Sequence, residues 1–218
     1  MEGIRAVKPK KRGRRQLQTP NEEVRERILG AAAHLIEEGG FPSLRIDELA
    51  GRAGISVGTF YLYFEGKDDL FVQLVGSFTE RLRERFRAAS EGGGTVVDRL
   101  GRRLDAYLDF VDENRRGFQY FVDSGAIETT GGRLSTWAMG VHADDLRPLL
   151  EEGMANGEVR PMDADLLAHA IVGLLQHMAS VWLDRRDDVA RAQLRSFVDG
   201  LLAFGIRPFE GLSGDGRG

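Results

Sequence analysis

Apolar residues recur along most of the chain with the period of about 3.6 residues that is typical of α-helices. The first such series consists of Val24, Ile28, Ala31, Ala32 and Leu35. Asn21 precedes this series as a candidate N-cap, and Glu22 and Glu23 suit the positive end of a helix dipole. The pair Gly39 and Gly40 is a stop signal. The pattern therefore predicts a helix that begins after Asn21 and ends at these two glycines.

The following fifty residues predict two short helices and then a long one. The apolar side of the first short helix consists of Ile46, Leu49, Ala50 and Ala53. Ser43 is a candidate cap at its start, and Gly54 ends it because glycine readily adopts a left-handed conformation. Ser56 then caps the second short helix, within the stretch VGTFYLYF. Gly66 interrupts the pattern, and a long helix is predicted from Lys67 to about residue 89.

The remainder of the chain is also helical in pattern, and no stretch alternates as a β-strand does. Helical segments are predicted at about 95–115, 116–127, 134–154, 163–184 and 187–204. The glycine-rich EGGG at 91–94 separates them from the N-terminal part, and further polar breaks separate them from one another. The sequence therefore predicts an all-α fold with a small N-terminal unit and a larger C-terminal one.

Charge is distributed unevenly along the 218 residues, whose formal net charge is −4. Residues 1–20 contain seven Lys or Arg and one acid, so that residues 1–89 carry +3 and residues 90–218 carry −7. Such asymmetry favours a polyanion, often a nucleic acid, as partner of the basic end. The alternative is a solvated tail without a partner. Both ends, 1–20 and 210–218, are polar enough to be expected to be disordered.

The composition excludes some kinds of chemistry and makes others unexpected. The chain has no cysteine, which excludes disulfides, zinc–thiolate sites and thiol catalysis. Its charged start lacks the apolar segment of a signal peptide. The stretch 166–183 is nearly as long as a membrane span, but His169, Gln176 and His177 interrupt it. We therefore expect a helix that protein buries on most sides, no membrane association, and a cytoplasmic location.

The stretch GISVGTFYLYF, residues 54–64, fits two different sites. Its first five residues match G-x-S-x-G, the nucleophile elbow of serine hydrolases, for which Asp123 and His142 would follow in triad order. The same residues fit the turn of a helix-turn-helix, with Ser56 capping the second helix. An elbow follows a buried strand, whereas the preceding RIDELAGRA has a helical period. The context therefore favours a DNA-binding motif in a protein that is not an enzyme.

The longer segment FPSLRIDELAGRAGISVGTFYLYFEGKDDLF resembles the DNA-binding segment of TetR-family transcriptional regulators. The matching positions are Phe41, Leu49, Ala50, Ala53, Gly54, Ile55, Ser56, Gly58, Thr59, Phe60, Tyr61, Tyr63, Phe64, Lys67 and Leu70. With the preceding helix, the resemblance covers about residues 21–75. It implies an N-terminal three-helix helix-turn-helix domain at 21–66. It also implies a C-terminal helical domain for ligand binding and dimerisation at 67–209, in which 67–89 is the connecting helix.

The resemblance implies roles for the residues around the recognition helix. Base contacts in the major groove are implied for Val57, Gly58 and Thr59. Phosphate contacts are implied for Tyr61, Tyr63 and Lys67. Ser56 is a helix cap and a candidate phosphate contact. The chain departs from the family pattern at Leu44 and Arg45, where Thr or Ser is usual, and Arg45 can replace a hydroxyl contact with a charge-assisted one. Phe60 and Phe64 are expected in the core.

The C-terminal part contains aromatic, Met and His residues that could line an effector cavity. The ligand-binding candidates are Tyr107, Phe110, Phe118, Phe121, Trp137, His142, His177 and Trp182. Most of the aromatic, Met and His residues there are expected to be ordinary core, and the composition favours a mainly apolar effector. His142 beside Asp144 or Asp145 is too little for a metal site, and no cofactor is expected.

The expected function is that of a ligand-responsive regulator of transcription. A homodimer would bind a palindromic DNA operator, repress transcription, and leave the operator when a small effector binds. The segments 163–184 and 187–204 are the candidate dimer contact, because the resemblance implies a four-helix interface there; the alternative is that they only form the monomer's core. The basic arm could add contacts to the DNA backbone or the minor groove. An activator or a ligand-independent DNA binder of the same fold is the alternative function, and an enzyme is least favoured.

Overall fold

The computed structural model describes residues 21–123, 131–185 and 190–207, with the side chains of 131–133 left out. In order, the helices of these ranges are α1 (Glu22–Gly39), a 3₁₀ turn (Phe41–Ser43), α2 (Ile46–Arg52), α3 (Val57–Phe60), α4 (Lys67–Ser90), α5 (Val96–Glu113), α6 (Arg115–Asp123), α7 (Gly131–Ala155), α8 (Ala164–Asp184) and α9 (Arg191–Ile206). The described ranges contain no strand, which confirms the all-α prediction. The predicted basic arm at 1–20 and the predicted tail at 210–218 lie outside them.

The ends of α1 follow the predicted signals, whereas the start of α2 does not. The side chain of Asn21 accepts a hydrogen bond from the Glu23 N–H at 2.9 Å, and Gly40 takes φ +80° at the end of the helix. The prediction that Ser43 caps α2 was wrong. Its hydroxyl donates to the carbonyls of Gly39 at 2.8 Å and Gly40 at 2.9 Å, because the 3₁₀ turn directs it back to the end of α1.

A first hydrophobic cluster joins α1, the 3₁₀ turn, α2, α3 and the start of α4. Its largest buried side chains include Ile28, Ile36, Leu49, Phe60, Phe64 and Leu70. The rings of Phe60 and Phe64 stack with centroids 5.3 Å apart and are almost completely buried, as predicted. Truncating a buried Phe of this kind to Ala costs about 3–5 kcal/mol. These two side chains therefore hold the four-residue helix α3 in place.

A second hydrophobic cluster joins the far half of α4 to α5, α7, α8 and α9. Leu82 and Phe86 are its members on α4, and Phe78, one turn earlier, packs against both clusters. On α5, Thr95 and Asp98 form a reciprocal capping box after the glycine-rich break. Helix α4 therefore belongs to both hydrophobic clusters and connects them through continuous backbone.

Helix α8 is much less buried than the sequence led us to expect. Only 22% of its most apolar window is buried, at positions such as Ala168, Ile171, Ala179 and Trp182. By length and composition this helix could also cross a membrane, a test that core helices pass as well. The prediction of burial on most sides was wrong because α7, α6 and α9 cover only part of its circumference. An apolar face of α8 is therefore left exposed in the single chain.

Candidate DNA-binding surface and ligand cavity

The turn between α2 and α3 has the geometry of a helix-turn-helix. Gly54 adopts φ +68°, the left-handed conformation predicted for it. The N–H of Ile55 donates to the carbonyl of Ala50 at 2.9 Å, and the Ile55 side chain packs partly buried against the first hydrophobic cluster. This side chain fills the angle between the two helices, so their relative orientation is set by packing.

Ser56 is the N-cap of α3, as predicted. Its Oγ accepts a hydrogen bond from the Thr59 N–H at 3.0 Å and lies 2.8 Å from the Thr59 hydroxyl. The residues that precede it form α2 and a turn, whereas a nucleophile elbow requires a buried strand there. The G-x-S-x-G match is therefore part of a helix-turn-helix.

Helix α3 and the two residues that follow it present a mostly exposed surface. Val57 is 42% exposed, Tyr61 54% and Leu62 62%, and Gly58 lies beside them. A methyl group added at Gly58 would meet only the Ser56 Oγ, at 3.8 Å. The fold itself therefore does not require glycine at this position. Leu62 was not among the predicted contacts, although its exposure makes it part of the same surface.

Three of the predicted phosphate contacts already bind other parts of the protein. The Tyr63 hydroxyl accepts a hydrogen bond from the Asn21 N–H at 2.9 Å. Lys67 Nζ donates to the carbonyl of Pro42 at 2.9 Å and lies over the ring of Phe41. Arg45 pairs with Asp47 at 2.7 Å. These contacts lie within residues 21–75, which we call the recognition unit. Contacts of the same side chains with DNA stay predictions.

Positive charge is scarce on the described part of this unit. Residues 21–75 contain five Lys or Arg and ten Asp or Glu. Arg52 donates two hydrogen bonds to the Glu38 carboxylate. These hydrogen bonds lower the pKa of Glu38. Arg25 similarly pairs with neighbouring acids on α1. Most cations near the recognition helix therefore already have an anionic partner, and the basic segment 1–20 is the main remaining source of positive charge.

An elongated, mostly apolar cavity runs along α4 inside the protein. Its lining includes five of the predicted ligand residues, namely Tyr107, Phe110, Phe118, Phe121 and His142. Its wall also contains side chains that the sequence did not single out, among them Phe71, Phe78, Phe86, Arg103, Asn114 and Tyr120. Phe78 and Phe86 recur with the helical period of α4, but periodicity does not distinguish a core position from a cavity wall.

Three predicted ligand residues do not reach the cavity. Trp137 is 47% exposed, and His177 lies on the exposed side of α8. Trp182 is buried in the second hydrophobic cluster, away from the lining. Residue type alone does not specify which side of a helix faces the cavity, and a contact of these three residues with a ligand stays a prediction.

Two ionisable side chains lie at the end of the cavity that is farther from α3. Burial lowers the pKa of Arg103 to about 10, so that its guanidinium is charged at neutral pH. Burial lowers the pKa of His142 to about 4, so that its imidazole is neutral. Both lie against the Phe86 ring. Arg103 Cζ is 4.6 Å from the centroid of this ring, and the centroid of the His142 ring is 5.5 Å from it. One end of an otherwise apolar cavity therefore carries a positive charge.

The helix-turn-helix and the helical second unit with its cavity define a DNA-binding regulator. The family model for "Bacterial regulatory proteins, tetR family" matches residues 28–74. The HTH-type transcriptional repressor KstR of Mycobacterium tuberculosis is 33% identical over 175 residues, which cover 75% of this chain and 73% of that protein. The chain belongs to the TetR family, and it is a ligand-responsive, DNA-binding transcriptional regulator.

Solved structures have the same fold. A TetR-family regulator from Rhodococcus sp. superposes with a TM-score of 0.73 at 24% identity, covering 84% of this chain and 98% of that one. The regulator FadR from Bacillus subtilis, in complex with stearoyl-CoA, superposes with a TM-score of 0.70 at 21% identity, covering 84% of this chain and 100% of that one. The arrangement of helices is therefore that of the family over most of the chain.

We predict that Gly58→Ala stabilises the protein and weakens its binding to DNA. Alanine is favoured over glycine inside a helix by up to about 1 kcal/mol, and the site has room for the methyl group. If the backbone at Gly58 approaches base edges, the same methyl group should lower affinity at least ~10-fold, which corresponds to ~1.4 kcal/mol. Urea unfolding and fluorescence anisotropy on a duplex selected from a random pool would measure the two effects.

Gly76→Ala is the matched control for this experiment. Gly76 lies within α4, and an added methyl group there also meets nothing within 4 Å. It should raise stability similarly and leave DNA affinity unchanged. Unchanged DNA affinity in Gly58→Ala would show that the backbone at this position does not approach the duplex closely.

Proposed function

We propose that the protein is a repressor that binds a palindromic operator as a homodimer and leaves it when a small, mainly apolar effector fills the cavity. The observation that carries this proposal is the composition of the cavity wall. Ile36 of α1 and Phe41 of the 3₁₀ turn contribute to the wall, together with residues of α4 to α8. A ligand in the cavity would therefore touch the unit that carries the recognition helix.

Helix α6 links the cavity to the recognition unit through two sets of contacts. The Glu37 carboxylate at the end of α1 accepts hydrogen bonds from the N–H groups of Arg116 at 3.1 Å and Gly117 at 2.9 Å. A carboxylate is favoured there because the N-terminal end of a helix is positive. Tyr120 on the same helix packs against Phe41 and Phe71, with centroids 4.8 and 5.2 Å away.

These contacts support a mechanism in which the effector moves α4 and α6 and changes the position of α1. In a dimer, such a movement would alter the distance between the two recognition helices, which must be about 34–36 Å to reach successive major grooves. Thermodynamic linkage then requires operator DNA to weaken effector binding by the same factor by which the effector weakens DNA binding.

The exposed side of the last two helices supports the dimer. Phe197, Leu201 and Phe204 are 58%, 43% and 77% exposed, and their spacing places them on one side of α9. Leu166 on α8 is 68% exposed. Apolar side chains grouped in this way mark a contact surface rather than ordinary solvent-facing helix. We infer that α8 and α9 pair with the same helices of a second copy.

We predict that Phe204→Glu converts the dimer into monomers and lowers operator affinity. It would place a charge on the most exposed apolar side chain of the proposed contact, where desolvation on dimerisation is costly. Analytical ultracentrifugation would measure the mass, and anisotropy the DNA affinity, which should fall at least ~10-fold because one recognition helix reads only half a palindrome. Ala192→Glu, on another exposed side of α9, is the control. A dimeric Phe204→Glu protein would contradict this interface.

We also predict that deletion of residues 1–16 weakens binding to all DNA sequences and flattens its salt dependence. Each lost phosphate contact lowers the slope of log K against log salt by about 0.9. The described part of the recognition unit has few unpaired cations. The basic arm at 1–20 should therefore account for a large share of the slope of log K against log salt. Anisotropy titrations at four salt concentrations, on the selected and on a scrambled duplex, would measure this. An unchanged slope would mean that the arm does not contact DNA.

The proposed function as a whole is tested by selecting bound duplexes from a random pool and titrating effectors against the complex. A repressor should yield a palindrome and should silence a reporter that carries it. An activator would raise reporter expression, and a ligand-independent binder would keep its operator in the presence of every apolar compound that binds the cavity. We further propose that this regulator acts in the cytoplasm and without catalytic activity.

A further inference from the structure

We propose that the effector is an elongated, apolar monocarboxylic acid whose carboxylate pairs with Arg103. This inference rests on the proposed function in one respect, that the cavity along α4 is the effector site. It identifies the chemical class of the effector from the polar groups in the cavity wall and from the shape of the space between them.

Arg103 is a buried cation without an anionic partner among the described residues. It is 8% exposed, and it lines the cavity from α5. Its guanidinium lies over the ring of Phe86, and Nη1 donates one long hydrogen bond of 3.4 Å to the Ser90 hydroxyl. A buried charge is costly unless an opposite charge and several hydrogen bonds compensate it. The site is therefore incomplete without an anion.

The acids around Arg103 are already engaged with other cations. Asp145 on α7 accepts hydrogen bonds from Arg83 at 2.6 and 3.0 Å. Glu80 also pairs with Arg83, at 3.0 Å. Glu152 pairs with Arg99, at 2.7 Å, one turn before Arg103 on α5. Asp145 therefore acts on Arg103 only from a distance, and no carboxylate of the described residues lies within salt-bridge distance of its guanidinium.

His142 adds a second unsatisfied polar group at the same end of the cavity. Its Nδ1 atom is buried and makes no hydrogen bond within the described ranges, and its ring contacts the same Phe86. Because the imidazole is neutral, this nitrogen can donate to a ligand oxygen in one of its two tautomers. A carboxylate has two oxygens, so it can accept from the Arg103 fork and from His142 together.

The rest of the wall determines the body of the ligand. Thr79 and Asn114 donate to backbone carbonyls of their own helices, at 2.9 and 2.8 Å, Gln176 donates a long hydrogen bond of 3.4 Å to Ser135, and most other lining residues are apolar. The wall follows α4 from Phe71 to Phe86, which is about 22 Å along the helix axis. A single anionic group with an apolar body suits this wall, and a chain of twelve carbons would require the cavity of about 110 Å³ to widen along α4.

The test compares molecules that differ only in the head group. Isothermal titration calorimetry would measure dodecanoate, 1-dodecanol, methyl dodecanoate and dodecanoyl-CoA, each below its aggregation concentration. We expect dodecanoate to bind about 10- to 100-fold more tightly than the alcohol and the ester, the range for hydrogen bonds to a charged group. Dodecanoyl-CoA should also bind less tightly, because a thioester lacks the negative charge at the carbonyl end.

Variants then assign the preference to Arg103. Arg103→Met keeps the approximate length and removes the charge, and it should abolish the preference, so that acid and alcohol bind with similar affinity. Arg103→Lys should retain part of the preference. The matched control is Arg99→Met, one turn away and paired with Glu152, which should bind all four molecules as the unmodified protein does. Thermal unfolding provides a second readout, since dodecanoate should raise the Tm of the unmodified protein more than 1-dodecanol does, whereas the two should raise the Tm of Arg103→Met equally.

Equal affinity of the unmodified protein for acid and alcohol would overturn the proposal, and this comparison needs no variant. An acid preference that survives in Arg103→Met would also overturn it, as would a thioester that binds more tightly than the acid. The proposed function fails separately. If dodecanoate binds through Arg103 but the operator complex persists, the acid site is correct and the release mechanism is wrong. If acid and alcohol release DNA equally, the release mechanism is correct and the acid site at Arg103 is wrong.

Discussion

The packing of one helix into two hydrophobic clusters is the constraint on which the rest of this structure depends. Helix α4 contributes Leu70 and Leu74 to the recognition unit and Leu82 and Phe86 to the second unit, while Phe78 packs against both. A helix of 24 residues is about 36 Å long and keeps its own hydrogen bonds when it moves. In the proposed mechanism, a displacement at its far half would therefore be transmitted as a tilt at Lys67, where the recognition unit is attached.

Charge is used differently at the two ends of the molecule. Near the recognition helix, Arg45 and Arg52 are exposed and paired, an arrangement that contributes little to stability but positions their side chains. In the cavity, Arg103 is buried and has no anionic partner among the described residues, which costs folding free energy. Replacing such a residue with an apolar one would stabilise the free protein. Its presence is accounted for if the compensating anion comes from a ligand, so that the binding of that ligand completes the fold.

Much of the recognition unit could be predicted from the sequence, because its signals are local. The cap at Asn21, the left-handed Gly54, the cap at Ser56 and the buried Phe60 follow from spacing, backbone preference and side-chain size. The cavity was predicted only in part. His142 and several aromatic residues were identified by type, whereas Arg103 was not, because nothing in the sequence distinguishes a buried arginine from the exposed arginines on the same helices.

The sequence by itself determined the all-α class, the order of the helices and the helix-turn-helix, since these depend on interactions between residues close together in the chain. Only the tertiary structure decided which faces of the long helices meet. It directed Ser43 back to α1, left the outer side of α8 exposed, and brought Arg103 of α5 next to Phe86 of α4. Hydrophobic periodicity indicates which side of a helix is apolar. Several other helices could cover that side, and which of them does so depends on how all the helices pack together.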